Sequence, residues 1–152
     1  MDIRIRRVIP GEARAMSEIA LAAKSHWGYP ERWIRLWVPE LTFSPSYFED
    51  NESWAAVIAD QVAGFYTLQE KDSNAWLENL WIKPEFMGRG LGKALFAHAV
   101  ELSRQRGYRQ LRWESDPNAL GFYERMGARK TGERHSEVDG QPRILPIMEL
   151  DL

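Results

Sequence analysis

Cysteine is absent from the 152 residues, which removes a disulfide framework, a thiol nucleophile and thiolate metal ligation. Histidine occurs only three times and in no metal-ligand spacing, so no metal is expected. Neither sign of charge dominates: 20 Lys and Arg against 22 Asp and Glu leave -2, which argues against a general nucleic-acid binder. No stretch approaches the roughly 20 apolar residues of a membrane span. The first ten residues, "MDIRIRRVIP", alternate apolar with charged and lack the apolar core of a signal peptide, so residence in the cytoplasm is expected. Repeats, low-complexity runs and linkers are also missing, and one domain over 1–152 is expected. What is present is an ordinary globular composition, 44% apolar and 28% charged. It carries seven tryptophans, of which Trp27, Trp33 and Trp37 crowd into one short segment.

The apolar spacing divides the chain into elements. Alternation suggests a strand from about 2 to 9, and Ala15, Ile19, Ala22 and Ala23 stand at helical spacing in the segment that follows. Pro30 suits the first turn of a second helix that Pro39 stops, and Ser44-Pro45 reads as the N-cap and first residue of a third. "SWAAVIAD", "QVAGFYTLQEK" and "AWLENLWIK" read as three strands joined by hairpins. A long helix with Leu91, Leu95, Ala99 and Leu102 on one face ends near Gly107. A strand, "YRQLRWES", a short helix stopped at Gly127 and a final antiparallel pair around Asp139-Gly140 complete the chain. The order implies an α/β (α+β) fold with a mixed sheet of about seven strands and about four helices.

The long helix begins unusually. "MGRGLGKALF" sets Gly88, Gly90 and Gly92 at every second position, where bare backbone meets the unpaired N–H groups and positive end of a helix. Such a site suits an anion, most often a phosphate. The Walker A loop does not fit, because Met87 stands at its first glycine and Ala94 at its hydroxyl. The dinucleotide fingerprint fails as well, because Lys93 stands at its third glycine.

The stretches "LENLWIKPEFMGRGLGKALF" and "SDPNALGFYERMGA" resemble the GCN5-related N-acetyltransferase (GNAT) family, as does the order of elements over nearly the whole chain. The resemblance implies acetyl-CoA as co-substrate, its pyrophosphate held by the loop Met87, Gly88, Arg89, Gly90, Leu91, Gly92 and Lys93. Met87 stands where the family usually has Arg or Gln, a departure that removes a polar side chain and leaves the backbone donors. By the same resemblance Leu80, Trp81 and Ile82 run along the pantetheine arm, Asn118 and Phe122 belong to the coenzyme side, and Tyr123 is the general acid for the departing thiolate. The bare alternative for Tyr123 is packing beside Phe122. Dimers are common in the family, and a homodimer is expected on that ground.

Acetyl transfer to an amine also needs a base, since at a pKa near ~10.4 only about one alkylamine in 2,500 is neutral at pH 7. Glu78, expected on one strand face with Trp76, Leu80 and Ile82, is the leading candidate if burial raises its pKa; its alternative is a salt bridge to Arg112. His26 is a second candidate by its ordinary pKa of ~6.5. The segment "SHWGYPERWIRLW" corresponds to the family's acceptor side, so His26, Trp27, Tyr29 and Trp33 are expected to bind the amine, a cationic acceptor through ring faces. Trp33 and Trp37, four apart, could equally form one buried helix face. "SHWGY" resembles a bacterial subgroup of these enzymes. The acceptor stays open among small amine, amino acid, peptide and antibiotic. A non-catalytic acyl-CoA-binding module and a protein N-acetyltransferase are the rival readings.

Overall fold

Residues 2–152 are described in the computed structural model. The seven strands form one sheet: β1 (Arg4–Arg7), β2 (Glu52–Ile58), β3 (Gln61–Lys71), β4 (Asn74–Ile82), β5 (Gln110–Glu114), β6 (Arg129–Val138) and β7 (Gln141–Asp151). The helices are α1 (Ala13–Ser25), α2 (Glu31–Trp37), α3 (Pro45–Asp50), α4 (Leu91–Gln105) and α5 (Leu120–Arg125), which agrees with the mixed α/β fold expected from the sequence. The strand order is β1-β2-β3-β4-β5-β7-β6, antiparallel throughout except for the parallel β4–β5 pair.

Local chemistry sets most element ends. The first strand is shorter than its alternation suggests, because Glu12 draws the chain into a turn by accepting from the Ile9 N–H (3.0 Å) and from Arg6. Ser44 caps α3 by accepting from Tyr47 N, as expected. Pro30 is the residue before α2 and not its first turn.

Two apolar clusters sandwich the sheet. One face packs on α4 and α5 through Tyr66, Leu68, Leu77, Leu95, Phe96, Trp113 and Met148. The other packs on α1 and α3 through Met16, Ile19, Phe48 and Phe65. On the first face the Tyr66 hydroxyl lies 2.7 Å from His98 Nδ1. Burial lowers the pKa of His98 and raises that of Tyr66, so the hydrogen-bonded pair stays neutral.

Two irregularities in β4 shape the site. The parallel ladder holds only at Ala75↔Leu111 and Trp76↔Arg112; beyond it the two strands part. And a bulge inserts Glu78 between the pairs Leu68↔Leu77 and Thr67↔Asn79. The extra residue reverses the alternation. Leu77 before it, and Leu80 and Ile82 after it, all pack toward α4, while Trp81 turns toward α1. The expected single face of Trp76, Glu78, Leu80 and Ile82 therefore does not exist.

Candidate active site

Where β4 and β5 part, a cleft of about 530 Å³ opens between the β4 end, the glycine loop and α5. It is lined by Leu80, Trp81 and Ile82 from β4, and by Met87, Gly88, Gly90, Gly92 and Lys93 from the loop and α4. Asn118, Phe122 and Tyr123 close the other wall, with Glu78 and Trp27 also on the lining. Most of the residues singled out in the sequence thus meet in one place.

The loop does with backbone what its glycines suggest. Gly88 and Gly90 have φ of 77° and 85°, a left-handed conformation that side chains disfavour. Gly90 is the N-cap of α4, and the first helical bond runs from Ala94 N to Gly90 O. The amides of Gly88 through Lys93 meet no protein acceptor among the described residues, so a row of donors stands at the positive end of a fifteen-residue helix. Arg89 and Leu91 do not line the cleft: the Arg89 guanidinium lies over the Phe86 ring at 5.5 Å, and Leu91 is a core residue. Their contribution is confined to their amides.

Tyr123 is buried among Phe96, Trp113 and Phe122, with ring centroids 4.9 to 5.6 Å apart. Its hydroxyl has no hydrogen-bond partner among the described residues, and burial pushes its pKa upward, with the Asp116 charge adding to the effect. It stays protonated and ready to donate. Beside it the Trp113 indole N–H is a buried donor without a partner, also on the lining.

Glu78 is not buried as expected; its side chain is 38% exposed. Nor does it meet Arg112, which lies 3.4 Å from Glu149. Its Oε2 accepts from the Trp76 indole (2.7 Å) and Lys71 (3.5 Å), while Oε1 has no donor among the described residues. The bulge presents one fixed carboxylate with one free oxygen at the cleft.

The acceptor-side expectation fares unevenly. Trp27 lines the cleft, but His26 only touches the Trp27 ring edge, at 5.4 Å between centroids. Tyr29 and Trp33 lie off the lining, in a cluster with Trp37. Trp33 and Trp37 are half-buried and meet edge to face, so neither fills a buried helix face. The faces of Tyr29 and Trp37 are not free for a cationic acceptor. Lys24 Nζ and the Arg143 guanidinium already stand over both rings, at 4.4 to 5.2 Å.

The hub of that cluster escaped the sequence reading. Asp116, on the cleft lining, accepts from Lys24 Nζ (2.8 Å), from the Tyr29 hydroxyl (2.9 Å), from Asn118 N (2.9 Å) and side chain (3.0 Å), and from Arg143 (3.3 Å). Burial works against its charge, but Lys24 above all holds the carboxyl below its usual range. For Lys24 the balance is opposite: burial outweighs Asp116 and lowers the ammonium pKa. Ser115-Asp116-Pro117 carries an N-cap pattern, and the Asp116 carboxylate does cap the turn leading into α5. That was the available signal.

A sheet split above a glycine-bound helix start, with a buried tyrosine on one wall and a carboxylate on the other, has the layout of an acyl-CoA-dependent transferase. The chain belongs to the acetyltransferase (GNAT) family, which it matches over residues 15–128. Among relatives, it is 36% identical over 98 residues to peptidyl-lysine N-acetyltransferase YjaB of Salmonella typhimurium, a match covering 64% of this chain and 62% of the relative. The match therefore spans less than two thirds of that protein. A GCN5-related N-acetyltransferase from Rhodopseudomonas palustris superposes with a TM-score of 0.85 at 19% identity, over 100% of this chain and 97% of its own. PaiA N-acetyltransferase from Thermoplasma acidophilum, solved in complex with coenzyme A, superposes with a TM-score of 0.77 at 22% identity over 100% of both chains. These two likenesses concern the fold.

Proposed function

We propose that residues 1–152 act as one domain that transfers an acetyl group from acetyl-CoA directly to a primary amine. The observation that carries the reading is the row of unpaired amides from Gly88 to Lys93, opening on the same cleft as Tyr123 and Glu78. The fit to coenzyme A is chemical: backbone donors at a helix N-terminus suit a pyrophosphate, and the unpartnered Trp113 N–H suits a polar group on the pantetheine or acyl portion. Family membership and the coenzyme A complex of the Thermoplasma relative's structure support the same donor. When bound, acetyl-CoA supplies the thioester whose C–S bond breaks as the C–N bond forms.

The chain's own part is orientation and proton movement. Glu78 Oε1 takes the acceptor's ammonium proton, directly or through one water. Because burial raises the Tyr123 pKa, giving up its proton early is unfavourable. Its hydroxyl therefore hydrogen-bonds the sulfur as charge develops and yields the proton late, and the second proton shed by the new amide nitrogen restores it. Met87 adds no polar contact, so the pyrophosphate rests on amides and the helix end, with Lys93 as the nearby cation.

The test is thiol release from acetyl-CoA across small amines, amino acids and lysine peptides, with Tyr123→Phe and Glu78→Gln alongside. Turnover lost in both variants while coenzyme binding persists is the expected result. Coenzyme binding with no thiol release from any acceptor would favour a binding module instead.

A further inference from the structure

Lys24 and Arg143 are only 12% and 10% exposed, and they share a single carboxylate, Asp116. Both oxygens of Asp116 are fully engaged by the contacts already described, so it has no capacity left to balance a second cation. Glu40 also acts on Lys24 through its charge, but it is exposed and pairs with neither cation. A buried cation without an anion is costly.

Donors are left over as well. Only Nη2 of the Arg143 guanidinium is engaged, with Tyr29 and Asp116, both at 3.3 Å. Its Nη1 and Nε meet no acceptor among the described residues. The Trp33 indole N–H, in the same aromatic cluster, is buried and has no partner. The excess positive charge and the idle N–H groups, from two elements of one cluster, both call for an acceptor.

From this we infer that the acceptor carries a carboxylate, received by Arg143, Lys24 and Trp33 behind the Asp116 wall of the cleft. The inference rests on the transferase reading and narrows its acceptor to an amino acid or a similar amine acid. A carboxylate fits better than a phosphate because its single negative charge matches the one cation left over by Asp116, and no row of amides accompanies it. The entrance is the loop of residues 26–30, whose Trp27 is 40% exposed and lines the cleft. Tyr29 joins that loop to the other wall by accepting from Asn118 Nδ2 at 2.9 Å.

The experiment reads binding and does not depend on turnover. The full chain is titrated calorimetrically with 3-phenylpropionate and with its uncharged amide, as wild type, Arg143→Gln and Trp33→Phe. The acid should bind saturably and the amide at least about tenfold more weakly, the scale of a charge-assisted hydrogen bond. Arg143→Gln should erase that preference. Trp33→Phe, which keeps the ring and loses one N–H, should reduce it severalfold even if the arginine variant fails to fold. Equal binding of acid and amide, no saturable binding of the acid, or a preference unchanged in Trp33→Phe would overturn the proposal. A transferase that fails the thiol assay but binds the acid selectively would separate this inference from the reading beneath it.

Discussion

The two ends of the cleft are built from different materials. At the glycine end, contiguous residues offer backbone amides with nothing to satisfy them. At the other, side chains from α1, the loop after it, the turn before α5 and β7 satisfy one carboxylate completely, and apart from that of Asn118 their contacts to it span 27 to 92 residues. Bare amides suit a ligand whose polar groups are the same in every turnover. A locked side-chain hub suits the part of a site that must discriminate, because its donors are fixed before anything arrives.

The sharpest way to break the contrast is to remove the hub. Asp116→Ala leaves two nearly buried cations unpaired and should cost about 3 kcal/mol or more, a fall of roughly 6–12 °C in Tm by calorimetry. Asp116→Asn keeps a capping acceptor and should lose less. Tyr123→Phe comes next: removing a proton donor should lower kcat by about 100-fold at unchanged Tm, read by steady-state thiol release. At the glycine end the effect should be smaller and confined to the coenzyme. Gly90→Ala forces a side chain into φ of 85°, costing about 1–2 kcal/mol and weakening coenzyme A binding in a direct titration. The smallest effect lies outside both ends. His98 has a lowered pKa in the fold, so its contribution is present above its ordinary value of ~6.5 and is lost as pH falls through the folded value. Wild type should lose stability toward acid more steeply than His98→Gln across that window, by about 1 kcal/mol or less.

The same contrast explains what could be read in advance. The glycine loop, the Ser44 cap, the turn at Asp139-Gly140 and the long apolar face of α4 are set by neighbours in sequence, and all were legible. Asp116, Lys24 and Arg143 look like three unrelated surface charges until the fold brings them together. The second loss is subtler. "AWLENLWIK" alternates well enough to pass for a regular strand, yet Glu78 bulges, because Leu77 and Leu80 both belong on the α4 face and an odd spacing cannot put them there without an extra residue. The burial expected for Glu78 failed for that reason: the residue that breaks the ladder is the one the core does not need.

That bulge also behaves like a punctuation mark in a reading frame. At one point β4 carries a residue more than β3, and the pairs on either side of it, Leu68↔Leu77 and Thr67↔Asn79, are consecutive on β3. Substituting Glu78 edits a single letter. Deleting it would remove the extra letter and leave the frame intact: Leu77 and Leu80 would stand two apart on the α4 face and Trp81 would still turn toward α1, so the cleft wall would lose a kink and a carboxylate while keeping its lining.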